Sequence, residues 1–266
     1  MRNDARSAWP AASRKRLLLA IYVDWLLVSA PLVIVQALLT RTLPGLAEVP
    51  FWTSILFFAA LEFVLLDRVQ WTPGFWALGI DAHRTSAVPA PEDPGMEKPR
   101  YHVDPRILAS ERWWTVLFGV FAVLSGVQGM TRWTMWSNPI PPIGIDVPWP
   151  ASVVLTIAVG AAEVAVGICV LRLMAPALPL GVAVYGLQAV VLMLAWPAIP
   201  EWAEQQQMAR RAYQGLPVRP GELENMRAMA QPMAAGGIAV VSVVMLAVGL
   251  RIRRLHRQET AAATDA

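Results

Sequence analysis

Cysteine occurs once in the chain, as Cys169 inside an apolar run. A lone thiol excludes a disulfide framework, a zinc ribbon and an iron–sulfur cluster, since each needs several. Charge is scarce as well. Asp, Glu, Lys and Arg make up 15% of the 266 residues, where soluble domains carry about 25%. Histidine is limited to His83, His102 and His256, and none has the spacing of an HExxH metal pair. There is no GxSxG elbow, no GxxxxGK phosphate loop and no GxGxxG turn. An intramembrane hydrolase, a nucleotide-driven pump and a bound cofactor are therefore not expected. What abounds is apolar surface. Hydrophobic residues reach 56%, and the mean hydropathy is +0.47. That excludes disorder and makes a soluble core improbable. The composition calls for an all-α, polytopic transmembrane bundle.

A membrane helix needs about 20 mostly apolar residues. Six runs approach this: 17–39, 51–66, 113–130, 153–171, 178–199 and 234–250. The second, third and sixth are short and imply little tilt or recruited flanking residues. A cleavable signal peptide ending at Val28-Ser29-Ala30 is the competing reading of the first run. Asp24 interrupts the apolar stretch, and the run continues past Ala30, so a retained span is expected.

The connections carry cations unevenly. With both termini inside, 16 Lys and Arg fall on the inner side and six on the outer. The positive-inside rule selects N-in, C-in with six spans. The fifth connection, 200–233, is the exception: it holds Arg210, Arg211, Arg219 and Arg227 outside, yet Glu201, Glu204, Glu222 and Glu224 match them. The net charge of +3 comes from such flanking arginines, and no aromatic–basic pattern asks for nucleic acid.

The chain divides at about residue 133. Region 1–133 contains three spans and a cytoplasmic connection, 67–112; region 134–266 contains three more and the extracytoplasmic helical loop 200–233. Within 67–112, residues 71–80 (Trp-Thr-Pro-Gly-Phe-Trp-Ala-Leu-Gly-Ile) are apolar but too short to span. They read as an interfacial or re-entrant segment. After His83, prolines at 89, 91, 94, 99 and 105 mark a flexible linker. The third connection holds Trp133, Trp136 and Trp149, an aromatic belt or a lipid or sugar platform. The loop 200–233 reads as two short helices, 201–213 and 222–229.

Three carboxylates lie within spans: Asp24, Glu62 and Glu163. Charge at the bilayer centre costs about 2.5–3.5 kcal/mol on insertion scales, so such groups face the bundle interior or water. Counted from flanking charges at 1.5 Å per residue, they sit about 12, 7 and 13 Å from the cytoplasmic side. If the helices bring them together, they make a cation or proton site. If each pairs separately, they fix helix packing, and Glu62 is shallow enough to snorkel. Arg16 and Asp24 are about 80° apart around the helix and two turns apart along it, so direct pairing is not expected. Small residues at Gly160, Gly167, Ala122 with Gly126, and Ser125 with Gly129 mark helix-packing seams.

Arg16-Leu-Leu-Leu-Ala20-Ile-Tyr-Val-Asp24 resembles the first-helix signature of the RDD family of membrane proteins. Thr72-Pro73-Gly74 followed by Leu78-Gly79-Ile80 is similar to that family's T-x-G-K-x-x-x-G stretch, with Phe75 at the place of the lysine. Arg106 or Arg112 matches an arginine before the third helix. The resemblance covers about 14–133. It implies a bacterial cytoplasmic-membrane protein that transports an unidentified ligand, with cation/proton antiport one form, and it gives Arg16 and Asp24 as functional residues. Two readings follow. In the first, the protein is an ion-coupled carrier, Asp24 and Glu163 handle a small cation or proton, and Arg16 anchors helix one. In the second, it is a non-catalytic scaffold for another membrane protein or for a second copy of itself. A carrier needs Asp24 in a wet cavity; a scaffold needs it buried and paired.

Overall fold

The computed structural model describes residues 12–42, 72–83, 100–104, 113–132, 147–213 and 215–264, together with 60, 107 and 143. Among them the protein is an all-α membrane bundle carrying one small β-ribbon. Five helices are long and apolar enough to cross a membrane. They match the expected first, third, fourth, fifth and sixth spans. The second run, with Glu62, lies outside the described residues except for residue 60.

Helix α1 is Arg14–Thr42. Ser13 caps it, its Oγ accepting the Arg16 N–H at 3.3 Å. Helix α2 is the short Pro73–Ala77. Its cap, Thr72, has extended backbone and accepts the Phe75 N–H at 3.2 Å. Pro73 takes the first helical position, where a missing N–H leaves no bond unmade. Gly79, at φ +65°, turns the chain into β1, Ile80–His83. Strand β2, Arg100–Val103, pairs antiparallel with it, Ile80 opposite Val103. This corrects the expectation that only linker follows His83. Four residues alternate too briefly to announce a strand; the partner defines it.

Helices α3, Trp113–Thr131, and α4, Trp149–Leu171, form the closest pair. A Cβ built at Gly126 would lie 2.4 Å from the Gly160 carbonyl oxygen, so the two backbones touch where small residues permit it. Helix α5, Ala177–Ala195, runs through a 3₁₀ turn, Trp196–Ala198, into α6, Ile199–Tyr213. Helix α7 then takes in Glu222–Thr264, 43 residues.

That length is a second correction, since 222–229 and 234–250 are one helix. Pro232 lies between them and removes the N–H that would bond the Ala228 carbonyl. Transmembrane helices tolerate that loss, and nothing else there breaks the helix. At 1.5 Å per residue α7 is about 64 Å long, twice the hydrocarbon thickness, so it projects from the bilayer.

Helices α2 and α3 pack on α1, α4 on α3, α5 on α4, α7 on α5, and α6 on α7. One core joins Ala20, Val23, Leu26, Phe75, Leu78, Val123 and Val164. Another joins Phe118, Val166, Val170, Tyr185, Met245 and Val248. At one end of the bundle α6 and the start of α7 make a charge-paired hairpin. Arg211 meets Glu222 at 2.7 Å, and Arg227 meets Glu201 at 3.5 Å and Glu204 at 3.9 Å.

Candidate functional site

Asp24 lies two turns into α1 and is fully buried, at 0% exposure. Its carboxylate accepts the Thr72 hydroxyl at 2.6 Å on Oδ2 and the Gly74 N–H on Oδ1. Both donors belong to the start of α2, whose first amides have no partner within the helix. The carboxylate therefore caps a second helix inside the protein. Gly74 makes the approach possible. A Cβ there would sit 2.2 Å from the Ala20 carbonyl oxygen and 2.7 Å from Asp24 Cγ.

The other end of α2 is held by cations. Arg16 Nε donates to the Leu78 carbonyl at 3.2 Å. Arg172, at the end of α4, donates to the Trp76 carbonyl at 2.8 Å, and its guanidinium lies 5.0 Å from the Trp76 ring centroid. Anion at the N-terminus and cations at the C-terminus suit the partial charges of the helix ends. The geometry explains the spacing. Eight residues of α1 rise about 12 Å between Arg16 and Asp24, enough to lie alongside the segment from Thr72 to Leu78. The segment read as interfacial or re-entrant is thus buried between helices, with Thr72, Gly74, Phe75, Ala77 and Leu78 all inaccessible. Irregular backbone survives at membrane depth only when covered in this way.

Glu163 occupies a different place. It is 6% exposed on α4, and its Oε1 accepts the side-chain amide of Gln188 on α5. Tyr185 is one turn before Gln188, its ring edge-on to Phe118 at 6.3 Å between centroids. Among the described residues its buried hydroxyl has no hydrogen-bond partner, though it lies within reach of the Glu163 charge. Arg132, just past α3, also feels that charge. Asp24 bonds Thr72 and Gly74 at the start of α2, and Glu163 bonds Gln188 of α5. Of the two arrangements left open for the carboxylates, these bonds belong to separate pairing of Asp24 and Glu163; Glu62 is outside the described residues.

Spacing along the chain singles out the carboxylates but not their partners, Thr72 and Gly74 at Asp24 and Gln188 at Glu163, with Tyr185 nearby. The signal was present for the second pair, because Tyr185 and Gln188 are the only hydrogen-bonding side chains in α5. Among the described residues no group of three or more His, Cys, Asp or Glu is placed to hold a metal ion. Comparison with family models, curated proteins and solved structures finds no match to this chain.

Proposed function

We propose that this multi-pass protein is a non-catalytic scaffold of the bacterial cytoplasmic membrane, assembling with another membrane protein or a second copy of itself. The observation that carries this reading is Asp24, buried and hydrogen-bonded to the elements it holds together. A carrier needs its titrating carboxylate open to water and to the ion. Here the carboxylate accepts a hydroxyl and a backbone amide of α2 among its partners.

An RDD-like origin for the first half has support from the same contacts. Arg16, Ala20, Asp24, Thr72, Gly74 and Leu78, all quoted in the resemblance, meet in one place. Phe75 departs from it, being buried in the apolar core where a lysine would be desolvated. The orientation is N-in and C-in, because the end bearing Arg16, Arg172 and the C-terminal arginines belongs in the cytoplasm under the positive-inside rule.

The test is reconstitution in liposomes with an internal pH dye under imposed sodium or potassium gradients, comparing wild type with Asp24→Asn. The scaffold reading expects no cation-driven proton movement in either, a lower melting temperature for the variant, and a defined larger complex in gently solubilised native membranes. Proton movement that disappears in folded Asp24→Asn would overturn it. The carrier reading keeps one supporting observation, the buried Tyr185 hydroxyl beside Glu163 and Gln188. In that reading flux would fall with Glu163→Gln and Tyr185→Phe and survive Asp24→Asn.

A further inference from the structure

The basic end of the bundle divides into cations that are engaged and cations that are spare. Arg16 and Arg172 hold α2. Arg251 donates to the Thr115 hydroxyl at 3.4 Å and lies 5.5 Å from the Trp114 ring centroid. These three are part of the architecture. Arg253 and Arg257 are different: both are exposed, and among the described residues neither has an ion-pair partner. They stand at i and i+4 on α7, so their charges sit side by side and repel.

Both line a cavity of about 400 Å³ together with His256, Thr260, Ala261 and, from the turn between α4 and α5, Ala175. The turn is pinned. His256 Nε2 lies 2.7 Å from the Leu173 carbonyl oxygen, and because a carbonyl can only accept, Nε2 carries the proton. Among the described residues the carboxylate paired here is Glu259, with Oε2 3.7 Å from His256 Nδ1. It pairs on the histidine side, and among the described residues no carboxylate pairs with the two arginines.

The depth of the cavity narrows what it holds. The apolar stretch of α7 ends at Leu250. Arg253 and Arg257 follow about 4.5 and 10 Å further along the axis, and the polar headgroup layer begins there and is about 5–8 Å thick on each side. Arginines are suited to phosphate because the guanidinium fork offers paired donors. We propose that this cavity binds the phosphate of an anionic lipid headgroup, with Arg253 and Arg257 as its ligands and His256 fixing the wall opposite. The site needs only that α7 crosses a bilayer, so it stands whether the protein is a scaffold or a carrier.

The test uses the full chain in detergent and reads bound lipid by native mass spectrometry. It is titrated with phosphatidylglycerol, with phosphatidylcholine of the same acyl chains, and with glycerol phosphate. The expected result is a preference for phosphatidylglycerol of about tenfold or more, as two unshielded arginines at the interface would give. Arg253→Gln with Arg257→Gln should abolish the preference. Arg254→Gln, on an exposed position outside the cavity, should keep it within about twofold. No preference in wild type would overturn the proposal, as would equal loss in Arg254→Gln, which would reduce the effect to general surface charge. Binding of glycerol phosphate as tight as that of phosphatidylglycerol would make the ligand a soluble phosphate ester and overturn the lipid assignment.

Discussion

A carboxylate inside a membrane helix can serve an ion or serve the fold, and its partners distinguish the two roles. Asp24 is bonded to the first amide and the cap hydroxyl of a buried short helix, so substitutions around it should be read in stability. Thr72→Val keeps shape and removes one donor. It leaves part of a buried carboxylate unsatisfied, at about 1–3 kcal/mol, which a thermal melt of the detergent-solubilised protein would register as a fall of several degrees. Gly74→Ala should cost about 1–3 kcal/mol by overpacking, because its Cβ would meet the Ala20 carbonyl oxygen at 2.2 Å. Unchanged melting in both variants would sink the clamp. Tyr185→Phe tests the opposite case. Its hydroxyl is buried and, among the described residues, has no hydrogen-bond partner, and removing an unsatisfied group is neutral or stabilising. A melting temperature at or above wild type is expected; a marked fall would mean that the hydroxyl is bonded after all.

At the scale of elements, the spans were legible because twenty apolar residues leave few alternatives to a membrane helix. Their small-residue seams were legible in part. Gly160, Gly167 and Gly126 stand out by spacing, but the sequence does not say that Gly119 is the residue facing Gly167. Pairing across helices depends on relative register, which the connection 132–148 does not encode. At the start of α7 the local signal and the packing disagree for the same kind of reason. A proline is a local signal for a break, and the packing of α7 against α5 and α6 overrides it. The α3–α4 seam gives a clean comparison. Gly126→Leu should separate the helices and lower melting substantially, since any Cβ there meets backbone. Gly186→Ala, on α5 where nothing lies within 4 Å, should be neutral or slightly stabilising through helix propensity. Equal effects in the two variants would remove close approach as the explanation.

For the whole molecule, the two ends differ in how their charges are used. At the hairpin end Arg211 and Arg227 face Glu222, Glu201 and Glu204. That pairing accounts for an arginine-rich connection on what the positive-inside rule makes the outer side, because the rule responds to cations near the span ends and these are held in a projecting hairpin. At the other end the cations converge from far apart in sequence: Arg16 and Arg172 on α2, Arg251 on Trp114, His256 on the α4–α5 turn. The sequence showed how many cations lie at each end but not which were structural, since that depends on contacts between elements up to 136 residues apart. The proposed N-in, C-in orientation rests on the same asymmetry and can be measured directly. Cys169 is the sole native thiol, so Cys169→Ser supplies a silent background. Into it go Lys15→Cys, Arg219→Cys and Gln258→Cys, one at a time, all at exposed positions. A membrane-impermeant maleimide on intact cells should label only the Arg219→Cys protein, and the other two only after permeabilisation. The reverse pattern would turn the molecule over and place the lipid-binding cavity in the outer leaflet. Labelling of Lys15→Cys and Gln258→Cys from opposite sides would contradict the shared basic end, and with it the contacts through which Arg16, Arg172 and His256 tie that end together.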